Sequence, residues 1–449
     1  MIKTGVEKAS QILVGSMVDF EVSGDVGEHF GVAVDVGTTT VAASLVCLDS
    51  GRVLGNAATL NPQKAYGQDV LARISFVMEN EDGLIKLQES IIECLNALVE
   101  QLCKETNVSF KHIYNFAISA NPTMMHVLLG VDPTPIGLAS YTPVFTKWQD
   151  VPASQIGLKA TDECRVYCLP GVSAYVGADV VAGIYASKLT EEMGNAMFID
   201  IGTNGEIVLS LNGQLFACSC AAGPALEGAN ISCGMRAAPG AIEDIKFMNN
   251  NFVLKTINNK PPIGICGSGI MAAAPALLQG GFMKAGGALL KEKDFKEGDP
   301  RLKYLWQEGR ARGVHITDDI IITQQDIRQI QLAKGAILSG FYALLQESGI
   351  SIDDLDKVII AGQFGAHLPP QTLIEAGLLP MGLMDKISYV GNSSHTGAYL
   401  ALTSKEARQQ MERLAPNINF KELSTMPNYE KLFVKCLNFN QLEERNEQS

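Results

Sequence analysis

Apolar positions in this chain come in short runs that end on small polar clusters. Gly31–Leu45 reads GVAVDVGTTTVAASL: an apolar run closes on Asp35, Gly37-Thr38-Thr39-Thr40 follows, and a second apolar run begins. Met197–Ser210, MFIDIGTNGEIVLS, has the same order around Asp200 and Gly202-Thr203-Asn204-Gly205. Short β-rich runs bounded by Gly, Thr and Asp predict strands. Residues 31–36, 41–48 and roughly 52–59 are expected to form an antiparallel meander with polar turns, and the strand–turn–strand pattern restarts at Met197.

Between these segments the apolar period lengthens to that of helices. GLIKLQESIIECLNALVEQLCKETN puts Leu87, Ile91, Cys94, Leu95 and Leu98 on one face of a long amphipathic helix. YGQDVLARISFVMEN opens a helical pattern, IYNFAISA is a strand, and Asn121-Pro122-Thr123 starts the next helix. Residues roughly 131–171 read as a Pro-rich connection. A small-residue helix lies within CLPGVSAYVGADVVAGIYASKL, and GICGSGIMAAAPALLQGG is a glycine turn feeding a helix. Residues 324–349 form another amphipathic helix. DKVIIAGQFGAHL and ISYVGNSSHTGAYLALTS each read as strand, glycine turn and helix start.

One supersecondary plan therefore occurs twice, beginning near Gly31 and Met197. An internal repeat of this length predicts two similar lobes with a ligand between them. The expected organisation is a lead-in over 1–30, a first lobe over 31–190, a second over 191–400 and a C-terminal segment over 401–449.

Composition narrows the function classes. A chain of 449 residues exceeds one ordinary core. A net charge of -13 argues against nucleic acid or an anionic membrane as the main partner. There is no long uncharged apolar stretch, and the N-terminal apolar patch runs into Asp19 and Glu21 without a small-residue cleavage site. The expectation is a cytoplasmic protein with neither leader nor membrane span. Ten scattered cysteines, none in a C-x-x-C pair, read first as small buried hydrophobes.

The two turns carry the chemistry. Glycine lets a phosphate approach backbone N–H groups, and threonine hydroxyls add donors. Aspartate repels phosphate directly but engages it through Mg²⁺ and its retained waters, or orients an attacking water. Two D-x-G-T turns facing each other suit a triphosphate with one metal. Asp35 and Asp200 are thus the candidate metal-holding and catalytic acids. Gly37, Thr38, Thr39, Thr40, Gly202, Thr203, Asn204 and Gly205 are the candidate phosphate residues. The chain lacks G-x-x-x-x-G-K-[ST], which excludes a P-loop.

The order of these segments resembles the actin, sugar-kinase and heat-shock-chaperone ATPase superfamily. The first phosphate turn is Asp35–Thr40, the first connecting helix Gly177–Ser187, and the second phosphate turn Asp200–Gly205. IIAGQFG at Ile359–Gly365 matches the adenosine turn, and GNSSHTGA at Gly391–Ala398 begins the second connecting helix. The implied fold is a two-lobed α/β ATPase with a duplicated β-meander plus helices. Gly362, Gln363, Phe364 and Gly365 would then shape the adenosine pocket. Lys334 and Gln331, on the preceding helix, are candidates to touch ribose or adenine, with a solvated helix face the other reading.

Longer phrases are similar to the ATPase domain of the reductive activators of corrinoid proteins. They include LNPQKAYGQDVLARI, ISANPTMMHVLLG, AAGPALEGANISCGMRAAPGAIE, CGSGI and AGQFGAHL. In that family ATP hydrolysis drives electrons from an iron–sulfur cluster onto an inactive Co(II) corrinoid and yields Co(I). The resemblance implies ATP and Mg²⁺ as ligands and a corrinoid protein as partner, and it is compatible with a homodimer. This chain has no ferredoxin-type cysteine spacing, so no iron–sulfur cluster is expected in it. A separate low-potential ferredoxin-type protein is the expected electron donor.

Two alternatives stay open. One is a small-molecule kinase on the same fold. The other is an iron–sulfur activator of the 2-hydroxyacyl-CoA dehydratase type, with Cys218, Cys220, Cys233 and Cys266 converging on a cluster. Glu206 and Glu227 follow the second phosphate turn and the Gly-Pro turn as candidate metal or water contacts, with plain surface carboxylates the blander reading. His126, His367 and His395 have no metal-ligand spacing and read as structural.

Overall fold

The computed structural model describes residues 28–192, 194–362 and 368–439. The expected meander is present as β1 (Phe30–Val36), β2 (Thr40–Cys47) and β3 (Val53–Leu60), all antiparallel. β4 (Ile113–Ala120) then pairs parallel with β1, which places Asp35 beside Ala42 on one side and Ser119 on the other. β1 and β4 read as nearly continuous apolar runs because they are central strands buried on both faces.

The Pro-rich connection is not wholly irregular. It holds β5 (Gln149–Pro152) and β6 (Arg165–Cys168), which extend the first sheet to the order β3-β2-β1-β4-β6-β5. Strands of four residues are too short to show alternation. Pro152 is tolerated because β5 is an edge strand.

The second half repeats the plan with β7 (Asn195–Ile201), β8 (Gly205–Leu211) and β9 (Gln214–Cys220). Two three-stranded sheets follow. They run in the orders β11-β10-β12 and β13-β14-β15, from β10 (Ala241–Met248), β11 (Asn251–Thr256), β12 (Gly264–Ile265), β13 (Leu305–Glu308), β14 (Ala311–His315) and β15 (Ile321–Thr323). Sequence reading missed them: β10 and β11 alternate on a half-exposed surface, and the others have two to five residues. β16 (Lys357–Ala361), β17 (Ile387–Gly391) and β18 (Ile418–Phe420) complete a sheet of order β17-β16-β7-β8-β9-β18. The series β3-β2-β1-β4-β6 and β9-β8-β7-β16-β17 share one arrangement, so the duplication predicted from the two turns is real at the level of topology.

Helix α1 (Gly83–Thr106) buries Leu87, Ile91, Leu95, Leu98 and Leu102. Cys94 sits at the rim of that stripe and is half-buried. Asn107, left-handed at φ 58°, ends the helix. Three more helices position the site: α2 (Ala178–Ala186), α3 (Gln324–Ser348) and α4 (Ser393–Thr403). α3 starts on a Thr323/Asp326 capping box and stops at Gly349, as the expected 324–349 span requires.

Two compact units result. One comprises the chain up to Asp200 with Val208–Cys218 and Val390–Lys421; the other comprises Ile201–Ile207, Ser219–Tyr389 and Glu422 onward. Among the described residues, no helix is long and apolar enough to cross a membrane.

Candidate functional site

The first turn is held from behind. The Gly37 N–H donates to the Thr40 carbonyl at 3.0 Å, and a Cβ on Gly37 would stand 2.7 Å from that same oxygen, so the turn admits only glycine there. Its carbonyls are tied back one after another. Asn61 Nδ2 donates to the Gly37 carbonyl at 2.8 Å, Arg73 Nη2 to that of Thr38 at 2.5 Å, and the Asn61 N–H to that of Thr39 at 2.9 Å. The Thr38 hydroxyl accepts from Asn121 Nδ2 at 3.0 Å, while Asn121 caps the helix Pro122–Leu128. The carbonyls of Gly37, Thr38 and Thr39 are thus all engaged by the protein, which fixes the turn from behind. Asn61, Arg73 and Asn121 were not singled out in the sequence. They lie 22 to 83 positions from their partners, and no local pattern announces such bonds.

Three carboxylates lie at the strand and helix ends of the first unit. Asp35 accepts from Asn392 Nδ2 at 2.9 Å and from the Ser394 hydroxyl at 2.8 Å, at the start of α4. Ser394 Oγ also lies 2.9 Å from Ser119 Oγ. Asp179, in the first turn of α2, accepts from the Val180 N–H at 2.9 Å. Asp200 is the penultimate residue of β7, as Asp35 is of β1. Burial raises the pKa of all three; Asp179 and Asp200 are pushed up to about 7, with the negative charge of their neighbours adding to desolvation. Asp179 escaped the sequence reading because an acid in a first helical turn is ordinary.

The cluster predicts a pH dependence with a definite sign. Because the folded pKa values lie above the unfolded ones, the cost of ionising these acids is absent below the ordinary carboxylate range and complete above about 7. Asp179→Asn should therefore raise the melting temperature of nucleotide-free, metal-free protein at pH 8 and leave it unchanged at pH 4. A thermal-unfolding series with the same difference at both pH values would contradict the coupling.

In the second unit, the Gly202 N–H donates to the Asn204 carbonyl at 3.0 Å. The Thr203 hydroxyl donates to Glu227 Oε1 at 2.6 Å, from the turn Pro224–Glu227 in the Gly-rich segment. Glu227 thus orients a threonine of the second turn. Glu206 takes a weaker bond from the Ser219 hydroxyl at 3.5 Å. Gly205 packs where a Cβ would lie 2.9 Å from Ile337 of α3.

Lys334 is fully buried, and its ammonium donates to the carbonyls of Asn438 at 2.5 Å and Gly377 at 3.4 Å. Burial lowers its pKa to about 8. Gln331 donates to the carbonyls of Leu437 and Gly286. Both side chains thus face backbone carbonyls within their unit instead of forming a solvated helix face. Gly362 follows β16 at φ 90°. Gln363, Phe364, Gly365 and His367 lie outside the described residues.

His126 accepts the Val144 N–H at Nε2 and faces the Pro122 carbonyl at Nδ1, a neutral structural ring. His395 bonds Ser44 at 3.1 Å, and burial pushes its pKa down to about 4. Cys218, Cys220 and Cys266 are buried and Cys233 is half-buried. Among the described residues, no group of three or more His, Cys, Asp or Glu is disposed to ligate an ion directly.

A duplicated meander with an acid near the end of the first strand of each half defines an ATPase-type fold of the actin and sugar-kinase superfamily. Residues 194–448 match the family model described as the C-terminal domain of RACo, the ASKHA domain, and residues 30–192 match the RACo middle region. The chain belongs to the RACo family, the reductive activators of corrinoid proteins. It is 33% identical over 445 residues to the corrinoid activation enzyme RamQ of Eubacterium limosum, covering 96% of this chain and 74% of that protein. It is 24% identical over 396 residues to the [Co(II) methylated amine-specific corrinoid protein] reductase of Methanosarcina barkeri, covering 81% and 68%. Among solved structures it is similar to a reductive activator for corrinoid, iron-sulfur protein, with a TM-score of 0.84 and 35% identity over 94% of this chain and 69% of that one.

Proposed function

We propose that this chain is an ATPase that drives the reductive activation of a corrinoid protein, taking Co(II) to Co(I). The observation that carries the reading is an acid in the penultimate position of the first strand of each duplicated meander, Asp35 and Asp200, in a member of the activator family. Thr38, Thr39, Gly202 and Thr203 hold phosphate oxygens, with Gly37, Thr40, Asn204 and Gly205 shaping the two turns. Asp35 and Asp200 hold Mg²⁺ through its waters, and the ion supplies neutralising charge to the phosphates. Asp179 accepts a proton from, and orients, the attacking water. Asn392 and Ser394 fix the Asp35 carboxylate, and Glu227 fixes Thr203. Gly362, directly after β16, borders the adenosine.

Formation of Co(I) is uphill for ordinary donors, and each 59 mV of one-electron deficit costs about a factor of ten in equilibrium. ATP helps only through states that bind the corrinoid protein differently. By linkage, the partner alters nucleotide affinity by the same factor as nucleotide alters partner affinity. Electrons come from a separate low-potential ferredoxin-type protein.

The test is corrinoid spectroscopy with a panel of purified Co(II) corrinoid proteins, ATP and a reduced ferredoxin. The expected result is ATP-dependent Co(I) and partner-stimulated ATP hydrolysis. Co(I) appearing equally well without ATP, or phosphate transferred to an added sugar or acid, would overturn the reading. Iron and sulfide in the anaerobically purified chain would overturn its electron-donor half.

A further inference from the structure

Arg73 is among the largest side chains buried completely in this protein. A buried guanidinium ordinarily meets a carboxylate, because an unpaired interior charge is costly. This one does not. Nε donates to the Gly67 carbonyl at 3.1 Å, Nη1 to Gln63 Oε1 at 3.1 Å and to the Met124 sulfur at 2.9 Å, and Nη2 to the Thr38 carbonyl at 2.5 Å. All four acceptors are neutral, and the last belongs to the first phosphate turn. The network is built for the purpose: Gln63 is itself buried, with its amide donating to the Leu87 carbonyl at 2.9 Å.

We infer that Arg73 is a positioning residue that charges the first phosphate turn from behind: it fixes the Thr38 carbonyl and supplies, through one peptide group, a positive potential that favours polyphosphate. The inference rests on the ATPase reading and deepens it. Among the described residues, the interior cation has solvation from dipoles but no counter-ion in contact. An anion at the turn completes its neutralisation without touching it. A low-dielectric surrounding transmits that field far better than water does. Asp69 is the carboxylate that acts on Arg73, and it caps the helix Val70–Glu79 by accepting the Ala72 N–H at 2.8 Å.

The experiment compares ATP, ADP and adenosine binding by calorimetry in the full chain with Mg²⁺. R73Q should weaken ATP about tenfold or more and adenosine less than about twofold, with ADP between them. R73K, which keeps the charge and loses the fork, should stay within about threefold of the parent for ATP. D69N keeps an N-cap acceptor while removing the opposing charge, and should tighten ATP about two- to threefold with adenosine unchanged. Equal weakening of ATP and adenosine by R73Q, or R73K as damaging as R73Q, would reduce Arg73 to a brace and sink the inference. If R73Q does not fold, D69N decides alone: no gain for ATP overturns it. A parent that binds neither ATP nor ADP overturns the ATPase reading and this inference with it. A parent whose hydrolysis depends on Asp200 but whose variants show no phosphate dependence overturns only the role of Arg73.

Discussion

Asp200→Asn should lower ATP hydrolysis by about 100- to 1000-fold while the protein stays folded, with Asp35→Asn close behind. Phosphoryl transfer asks the protein for positioning and charge stabilisation more than for covalent chemistry. An amide keeps the shape of the carboxylate and removes the charge that organises the ion and its waters. Asp179→Asn should fall as far in kcat with little change in nucleotide affinity, because a group that orients water acts in the transition state and not in the ground state. Each substitution removes one charge from a crowded acidic cluster, so the apo protein should gain stability above neutrality as activity is lost. Stability rising while kcat collapses is not the outcome of a general folding defect. The measurement is steady-state phosphate release, with thermal unfolding on the same samples. Three variants hydrolysing ATP at the parent rate would show that the acids serve another purpose.

The sequence was most legible where physics is local. β1 to β3 and the turn Gly37–Thr40 follow from short apolar runs broken by an acid and hydroxyls, and the same grammar at Asp200 exposed the duplication. α3 was legible from end to end because its apolar stripe and both caps are written in consecutive residues. Legibility failed where partners are remote. Asn392 and Ser394 reach Asp35 across more than 350 positions, and Arg73 reaches Thr38 across 35. LNPQKAYGQDVLARI was visible as a phrase resembling a family, yet only the folded chain shows Asn61, Gln63 and Arg73 behind the turn. β5 and β6 failed for another reason: four residues with a proline carry too little period to distinguish a strand from a loop.

Gly397→Ala should be the most damaging single-methyl change in the first unit. α4 crosses α2 so closely that a Cβ on Gly397 would stand 2.6 Å from Ala182 Cα and 2.7 Å from its carbonyl oxygen. These are backbone atoms of a helix, which cannot swing aside as a flexible side chain can. Gly183, one residue further along α2, is just as confined, with the Phe198 ring 2.6 Å from its would-be Cβ. Overpacking of this kind costs about 3 kcal/mol when the elements must separate. Separation here has a chemical consequence. α4 brings Asn392 and Ser394 to Asp35, and α2 carries Asp179, so a rigid shift of one helix misaligns the acid and its supports together. Gly397→Ala should therefore lower the unfolding midpoint in urea and, at temperatures where it remains folded, also lower kcat. Ser394→Ala separates the two effects. It removes one hydrogen bond from Asp35 without adding volume, and should reduce kcat about tenfold or more with only about 1 kcal/mol lost in stability. If Gly397→Ala proves as stable as the parent, the two helices do not cross as closely as described. If it is destabilised yet fully active when folded, the alignment of Asp35 does not depend on that crossing.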